Sequence, residues 1–228
     1  MPALNEQESI ETAVLRVRSV LEHVADEFEI VVMNDGSTDR TGEIALRLAA
    51  QDTRIRVVHS ERNRNYGITL QRGIRDARCE WIVHDGADLP LAPEDFPNFI
   101  AHFDTADVIV ARRTSLPGYT RWRLVTSHVY SRMVHALFRS AVVDKNFTQF
   151  FRRSFAQSIR FVTTSPSVTT PELILRAEHT GKRVIEIVAD FQRRDAGAHH
   201  FGKPKDIAWT ALDLLRLRWH TLWHGWEG

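Results

Sequence analysis

Two carboxylates, Asp85 and Asp88, stand in "HDGADLPLAPED" (84–95), directly after a short apolar run. Hard oxygen donors of this kind suit Mg2+ or Mn2+, which sits on one or two carboxylates and completes its shell with substrate phosphates. An ion held there would neutralise charge on a departing nucleotide. The same residues also suit a polar turn, with Asp85 accepting from nearby backbone N–H groups and Asp88 solvated. "NDGSTD" (34–39) is a second cluster: Asp35 could accept from the N–H groups of a nucleotide base, and Asp39 reads as a cap or first-turn residue of the next helix. No G-x-G-x-x-G follows a strand and no G-x-x-x-x-G-K-S/T occurs, so dinucleotide and P-loop chemistry are unsupported.

The elements that must position these residues alternate. Ile10, Val14, Val17, Leu21 and Val24 recur at helical spacing over roughly 7–25. Continuous apolar runs of strand length follow at 28–33, 55–60, 80–85 and 107–112, separated by helical patterns at 40–51, 68–77 and, more briefly, from 93. Such alternation predicts βαβ units: an α/β fold with a mostly parallel sheet and helices on both faces. Ligands of such sheets bind outside the carboxyl ends of the strands. "NDGSTD", "HDGADLP" and "RRTSLPG" (112–118) all fall there. Beyond them, 121–139 reads as helix, 147–152 as extended, 171–180 as helix, 183–191 as strand and 206–224 as helix.

A chain of 228 residues with 43% apolar residues can bury a full core and is most economically one domain, 1–228. No apolar run reaches 18 residues, no basic-then-apolar leader is visible, and the lone Cys79 fits a reducing compartment, so the expected location is cytoplasmic. The net charge of +1 hides an asymmetry. Residues 1–111 hold 11 Lys/Arg against 20 Asp/Glu, a balance of −9, whereas residues 112–160 hold 10 against the single Asp144, a balance of +9. So one-sided a segment suggests an anionic partner. Its cations are not interleaved with an aromatic platform, which argues against nucleic acid.

"PALNEQESI", "VVMNDGSTDRT", "NYGITLQRGI", "WIVHDGADLPLAPEDF" and "ARR…W" occur in that order, followed by "TPELILRAEHTGKRVIEIVADFQRRDAGAHHFGKPKD". Together they resemble the family 2 glycosyltransferases of GT-A fold, especially the dolichol- or polyprenyl-phosphate sugar transferases. The resemblance covers essentially the whole chain. It implies an inverting transferase that takes a sugar from a UDP- or GDP-sugar with help from Mg2+ or Mn2+. By the same resemblance, Pro2, Leu4, Asn5 and Glu6 would line the nucleoside pocket, Asp35 would contact the base, and Gly67 would be a substrate-binding residue. Asp88 matches the second aspartate of the family's D-x-D, with Asp85 as a further metal ligand. Arg112, Arg113, Arg121 and Arg123 fall where the family places arginines near phosphates. Arg194, Lys203 and Lys205 match its basic loop, and Glu172 an acidic residue of the acceptor side.

A lipid phosphate acceptor is already anionic at pH 7, so attack on the sugar C1 needs no general base. The protein would neutralise charge and position the reactants. A glycan or protein hydroxyl acceptor would need a carboxylate to take its proton, with Glu172 the candidate; as an alternative, Glu172 caps a helix beginning after Pro171. A third reading is a non-catalytic nucleotide-sugar-binding protein. The first aspartate of the family's D-x-D aligns with Gly86 and its glutamine with Pro90. The chain starts where the family has an apolar strand, so either that strand is truncated or Met1 is its last residue. Four of the six tryptophans lie in the last twenty residues, beside Arg and His. An amphipathic helix at 206–224 with the stripe Ala208, Leu212, Leu215, Trp219, Leu222 and Trp226 either packs as core or rests peripherally on the inner face of a membrane. Packing is expected more of Trp209 and Leu212 than of Trp223 and Trp226.

Overall fold

The computed structural model describes residues 1–115, 120–192 and 204–226, and in it the βα alternation is realised in chain order. Strand β1 (Pro2–Ala3) leads through α1 (Ile10–Val24) to β2 (Ile30–Asn34), then α2 (Thr41–Gln51), β3 (Ile55–His59), α3 (Tyr66–Asp76) and β4 (Trp81–His84). A short α4 (Phe96–Ile100), β5 (Val108–Arg113), α5 (Arg121–Phe138) and β6 (Gln149–Arg152) follow. The chain continues with α6 (Arg153–Ser158), α7 (Pro166–His179), β7 (Val184–Ala189) and α8 (Pro204–His224). Helix α1 forms because Ile10, Ala13, Val14 and Val17 fall on one buried face. Helix α3 is started by Asn65, whose side chain accepts from the Ile68 N–H at 3.2 Å.

Strands β1, β2 and β3 form one all-parallel sheet in that order. The first strand is two residues long, and its backbone pairing extends on both sides: Met33 N–H donates to the Met1 carbonyl at 2.9 Å and Asp35 N–H to that of Ala3 at 3.0 Å. A second sheet has the order β4-β6-β5-β7. Within it β7 runs parallel to β5, but β6 is antiparallel to both its neighbours. Apolar runs do not encode strand direction, and this reversal has a consequence: the register His84↔Gln149 brings the start of β6 to the end of β4.

Both sheets contribute to one core, in which Ala3, Ile30 and Val32 cluster with Ile109, Ala111, Phe147 and Phe150. Phe150 is its aromatic centre, stacked on Phe99 at 4.7 Å between ring centroids and edge-on to Phe96 at 5.4 Å. A separate core joins α5, α7 and α8 through Val134, Phe138, Leu175, Leu214 and Leu217.

Three sequence expectations are corrected. Helix α7 begins at Pro166 rather than 171 and carries Pro171 inside it. Proline cannot donate to the carbonyl four residues back; the carbonyl so released, that of Ser167, accepts the Tyr130 hydroxyl at 2.6 Å. Leu212 is exposed, not core. Trp226, by contrast, packs: its ring stacks on His179 at 4.0 Å and lies edge-on to Phe138 at 5.9 Å. Trp209 is half-buried and Trp223 exposed, as expected.

Phe150→Ala should cost about 3–5 kcal/mol, the usual loss for an aromatic ring removed from a close-packed core. Urea unfolding measures it, and a loss under about 1 kcal/mol would show that the two sheets do not share this core.

Candidate active site

The carboxyl end of β2 is stitched to the segment after β1. The Asn5 side chain accepts from the Thr38 N–H at 2.9 Å, the Asn5 N–H donates to the Ser37 hydroxyl at 3.0 Å, and the Glu6 N–H donates to that of Thr41 at 2.8 Å. Asp39 accepts from both the N–H (2.9 Å) and the hydroxyl (2.5 Å) of Thr41, the first residue of α2; it stands one residue before the cap position, which Arg40 holds. The residues expected around a nucleoside, Pro2, Leu4, Asn5, Glu6 and Asp35, are therefore brought together. Asp35 is buried and accepts from the Arg64 N–H at 2.8 Å, pinning the loop that follows β3. Gly36, at φ +74°, makes that approach possible: a Cβ there would come within 2.5 Å of the Arg62 carbonyl carbon.

The turn after β4 is built around a buried carboxylate. One oxygen of Asp85, Oδ1, accepts from the Thr148 hydroxyl and from the Gly86 N–H, each at 3.1 Å. The other, Oδ2, is buried and has no hydrogen-bond partner. Thr148 reaches it because β6 starts beside the end of β4. At Gly86 a Cβ would come within 2.3 Å of Asp88 Oδ1, so the Asp88 carboxylate occupies the space that any side chain at 86 would need. The glycine that replaces the first D-x-D aspartate is what lets Asp88 fold back over the turn, and Asp85 supplies the second carboxylate. Leu89, next in line, sits at φ +44° although it is not glycine, a conformation that costs on the order of 1–3 kcal/mol and must be held from outside. The clamp is the segment after β7: Phe191 bridges to Leu91, and the Gln192 N–H donates to the Pro90 carbonyl at 2.8 Å.

Burial pushes the Asp85 carboxyl well above the usual range; the Thr148 hydrogen bond opposes this, and the charge of Asp88 adds to it. Tyr66, at the start of α3, is raised by burial and then by the charges of Asp85 and Asp88, so its phenol keeps its proton beside them. Its hydroxyl lies 3.3 Å from His84 Nδ1. Burial lowers His84 to about 4, which leaves it neutral near pH 7. A buried carboxylate oxygen without a partner, next to a second carboxylate, fits a hard divalent cation. Among the described residues no group of three or more His, Cys, Asp or Glu could hold a metal alone. An ion here would thus take the remainder of its shell from substrate phosphates or water. Tyr66, His84 and Thr148 were not singled out by the sequence reading. "NYG" gave a signal for Tyr66, but Thr148 could be found only with the direction of β6.

The expected basic and acidic residues separate into two groups. Arg112 and Arg121 are exposed, and Lys205 is exposed in the first turn of α8. Arg113 is instead engaged by Asp144, with Nε and Nη2 at 2.7 and 2.8 Å from its two oxygens, and lies over the rings of Phe147 and Phe191. The loop carrying Asp144 is held in turn by Glu178, which accepts from the Ala141 and Val142 N–H groups, and by Glu186, which accepts from those of Val143 and Asp144. Arg194, Lys203 and the side chain of Arg123 lie outside the described residues.

Glu172 departs from its expected role as an acceptor-side base or a cap. It lies inside α7 at 0% exposure and accepts from the N–H groups of Val162 and Thr163, the Thr163 hydroxyl and Arg176 Nε. No face of it is open to an acceptor. Gly67 packs as well: a Cβ there would meet the Thr164 carbonyl oxygen at 2.2 Å, so the residue serves close contact of α3 with that segment.

Two outcomes follow. In metal-free buffer the raised Asp85 keeps its proton in the fold after the unfolded chain has lost it. Its presence therefore costs stability as pH rises above about 4, the unfolded carboxylate value. Asp85→Asn should raise the unfolding midpoint at pH 7 by a few degrees, with the gain shrinking toward pH 4, and a gain independent of pH would contradict this origin. Glu172→Gln should lose about 3–5 kcal/mol in chemical denaturation, the scale for breaking a buried pair, while leaving the shape of any pH–rate profile unchanged.

The family model "Glycosyl transferase family 2" matches residues 1–162. Over 96% of its length the chain is 30% identical to the glycosyltransferase AglD of Haloferax volcanii, of which it covers 36%. It is also 27% identical, over 91% of its length, to the undecaprenyl-phosphate 4-deoxy-4-formamido-L-arabinose transferase of Edwardsiella ictaluri, of which it covers 63%. The chain thus spans about a third to two thirds of the length of these curated relatives. Among solved structures it is similar to the glucosyl-3-phosphoglycerate synthase of Mycobacterium tuberculosis in complex with Mn2+, uridine diphosphate and phosphoglyceric acid. The TM-score is 0.70 at 19% identity, over 95% of this chain and 76% of that one. That likeness bears on the fold, which is the GT-A arrangement the sequence resemblance implied. The family model, matched over more than half of the chain's length, places the chain in glycosyl transferase family 2.

Proposed function

We propose that the chain moves a sugar, with inversion, from a UDP- or GDP-sugar to a polyprenyl-phosphate-type lipid, assisted by Mg2+ or Mn2+. The observation that carries this reading is the Asp85–Asp88 pair, with a buried carboxylate oxygen left without a partner at the carboxyl end of β4. When bound, the ion would supply charge neutralisation on the departing diphosphate. Asp85 and Asp88 would hold it, Thr148 would fix the Asp85 carboxylate, and Tyr66 would present a protonated hydroxyl beside both. Asp35 and residues 2–6 would seat the nucleoside. Arg112 and Arg121, exposed at the end of β5 and the start of α5, would attract the anionic acceptor.

The lipid acceptor is favoured over a glycan or protein hydroxyl because Glu172, the base the hydroxyl reading relied on, is enclosed. A phosphate acceptor needs no proton removed. The undecaprenyl-phosphate relative supports the same choice. Such an acceptor lies in a bilayer, and among the described residues no helix is long and apolar enough to cross one. Contact with the membrane would then be peripheral, on its inner face.

The test is turnover of UDP- and GDP-sugars with Mn2+ and a short-chain polyprenyl phosphate. The product should have the inverted anomeric configuration, and Asp88→Asn should lower kcat at least about 100-fold, the scale for losing one preorganised electrostatic contact. Full activity of Asp88→Asn would sink the assignment.

A further inference from the structure

Helix α8 buries one face and leaves the other bare. Leu214 and Leu217 enter the core shared with α5 and α7, whereas Leu212, Leu215, Trp219, Leu222 and Trp223 are 55–68% exposed. From Leu212 to Trp223 this apolar stripe runs about 16 Å at 1.5 Å per residue. So long a run of large side chains on a surface marks something that covers it. Neighbouring α5, packed on the same core, adds exposed Trp122, Val125 and Val129.

The charges around the stripe indicate what covers it. Arg216 and His224 are exposed on α8, with Arg218 and His220 half-buried beside them. Among the described side chains of α8 the acid is Asp213, at 0% exposure; it accepts from the Thr164 and Ser165 N–H groups at 2.8 and 2.7 Å and pairs with Arg216 at 3.3 Å. Helix α5 holds no Asp or Glu. A groove of about 480 Å3 opens between Val162 and the stripe; Leu212, Leu215 and Trp219 give it apolar walls, and Arg216, His220 and His224 a polar rim whose positive charge is that of Arg216. Apolar walls with a cationic rim match an anionic amphiphile, its phosphate on the rim and its chain along the wall. Exposed Trp at the border of apolar and basic surface is suited to the headgroup layer of a bilayer. A second copy fits less well, because a two-fold contact would bring two sets of like charges to one rim.

We infer that the exposed face of α8 docks on an anionic lipid bilayer and that its groove receives an anionic lipid headgroup. This rests on the reading of the acceptor as a membrane lipid, since docking would hold the enzyme at the surface where that acceptor lies.

Co-sedimentation with vesicles separates the outcomes. The protein should bind phosphatidylglycerol–phosphatidylcholine vesicles at least tenfold more tightly than phosphatidylcholine alone, with binding weakened by salt but not displaced by inorganic phosphate. Trp219→Ser/Trp223→Ser, and separately Leu215→Glu, should weaken binding at least tenfold. Both should keep the wild-type unfolding midpoint and the turnover of a short-chain, detergent-soluble acceptor. Absent vesicle binding, unchanged binding by both variants, or a wild-type dimer in sedimentation that the double variant abolishes would overturn the inference. Vesicle binding with no transfer to any acceptor would uphold the docking face and count against the transfer reading instead.

Discussion

The carboxylate of Asp85 is the constraint around which the strand ends are arranged. A buried acid with one oxygen satisfied and one not is unfavourable in isolation, and the fold keeps it where desolvation is strongest. Each neighbour either holds it in place or makes its charge harder to bear. Thr148 fixes one oxygen, Asp88 crowds it with like charge, and Tyr66 and His84 surround it with groups that stay neutral near pH 7. A cation would reverse the sign of that environment, since the same burial that penalises a lone carboxylate strengthens its attraction for a nearby ion. Stability has been exchanged for a preorganised anionic pocket.

Keeping that pocket requires support from distant parts of the chain. The strained Leu89 is clamped by Phe191 and Gln192, which follow β7. Phe191 also lies beneath Arg113, whose bond to Asp144 fixes the loop that delivers β6, and hence Thr148, to the site. Glu178 and Glu186 secure the same loop through four backbone N–H groups. One of the arginines expected near phosphates is thus a pillar of the site, whereas Arg112 and Arg121 stay exposed.

The sequence made much of this legible because periodicity and burial coincide. The continuous runs in β2, β4 and β5 and the stripe of α1 could be read directly, and the polar clusters after them lay where parallel strands place a ligand. The direction of β6 could not be read, since an apolar run looks the same in either direction, and Thr148 was missed for that reason. Glu172 and Gly67 fitted the resemblance by position, but their roles are set by what packs on them: the 160–163 segment over Glu172, and Thr164 against Gly67. Pro171 suggested a helix start, but the hydroxyl of Tyr130 across the core allows the helix to run through it. On α8 the stripe was visible, and which part of it is buried depended on where α5 and α7 lie.

The central claim is that Asp85 and Asp88 together hold a divalent ion against a nucleoside diphosphate. Electron paramagnetic resonance of Mn2+ titrated with the protein and UDP or GDP tests it directly. The free aquo-ion signal should be lost with the wild-type chain and one of the two nucleotides, and should persist with Asp85→Ala/Asp88→Ala at equal concentrations. Loss of the signal to the same extent with the double variant, or its persistence with the wild type under both nucleotides, would contradict the account.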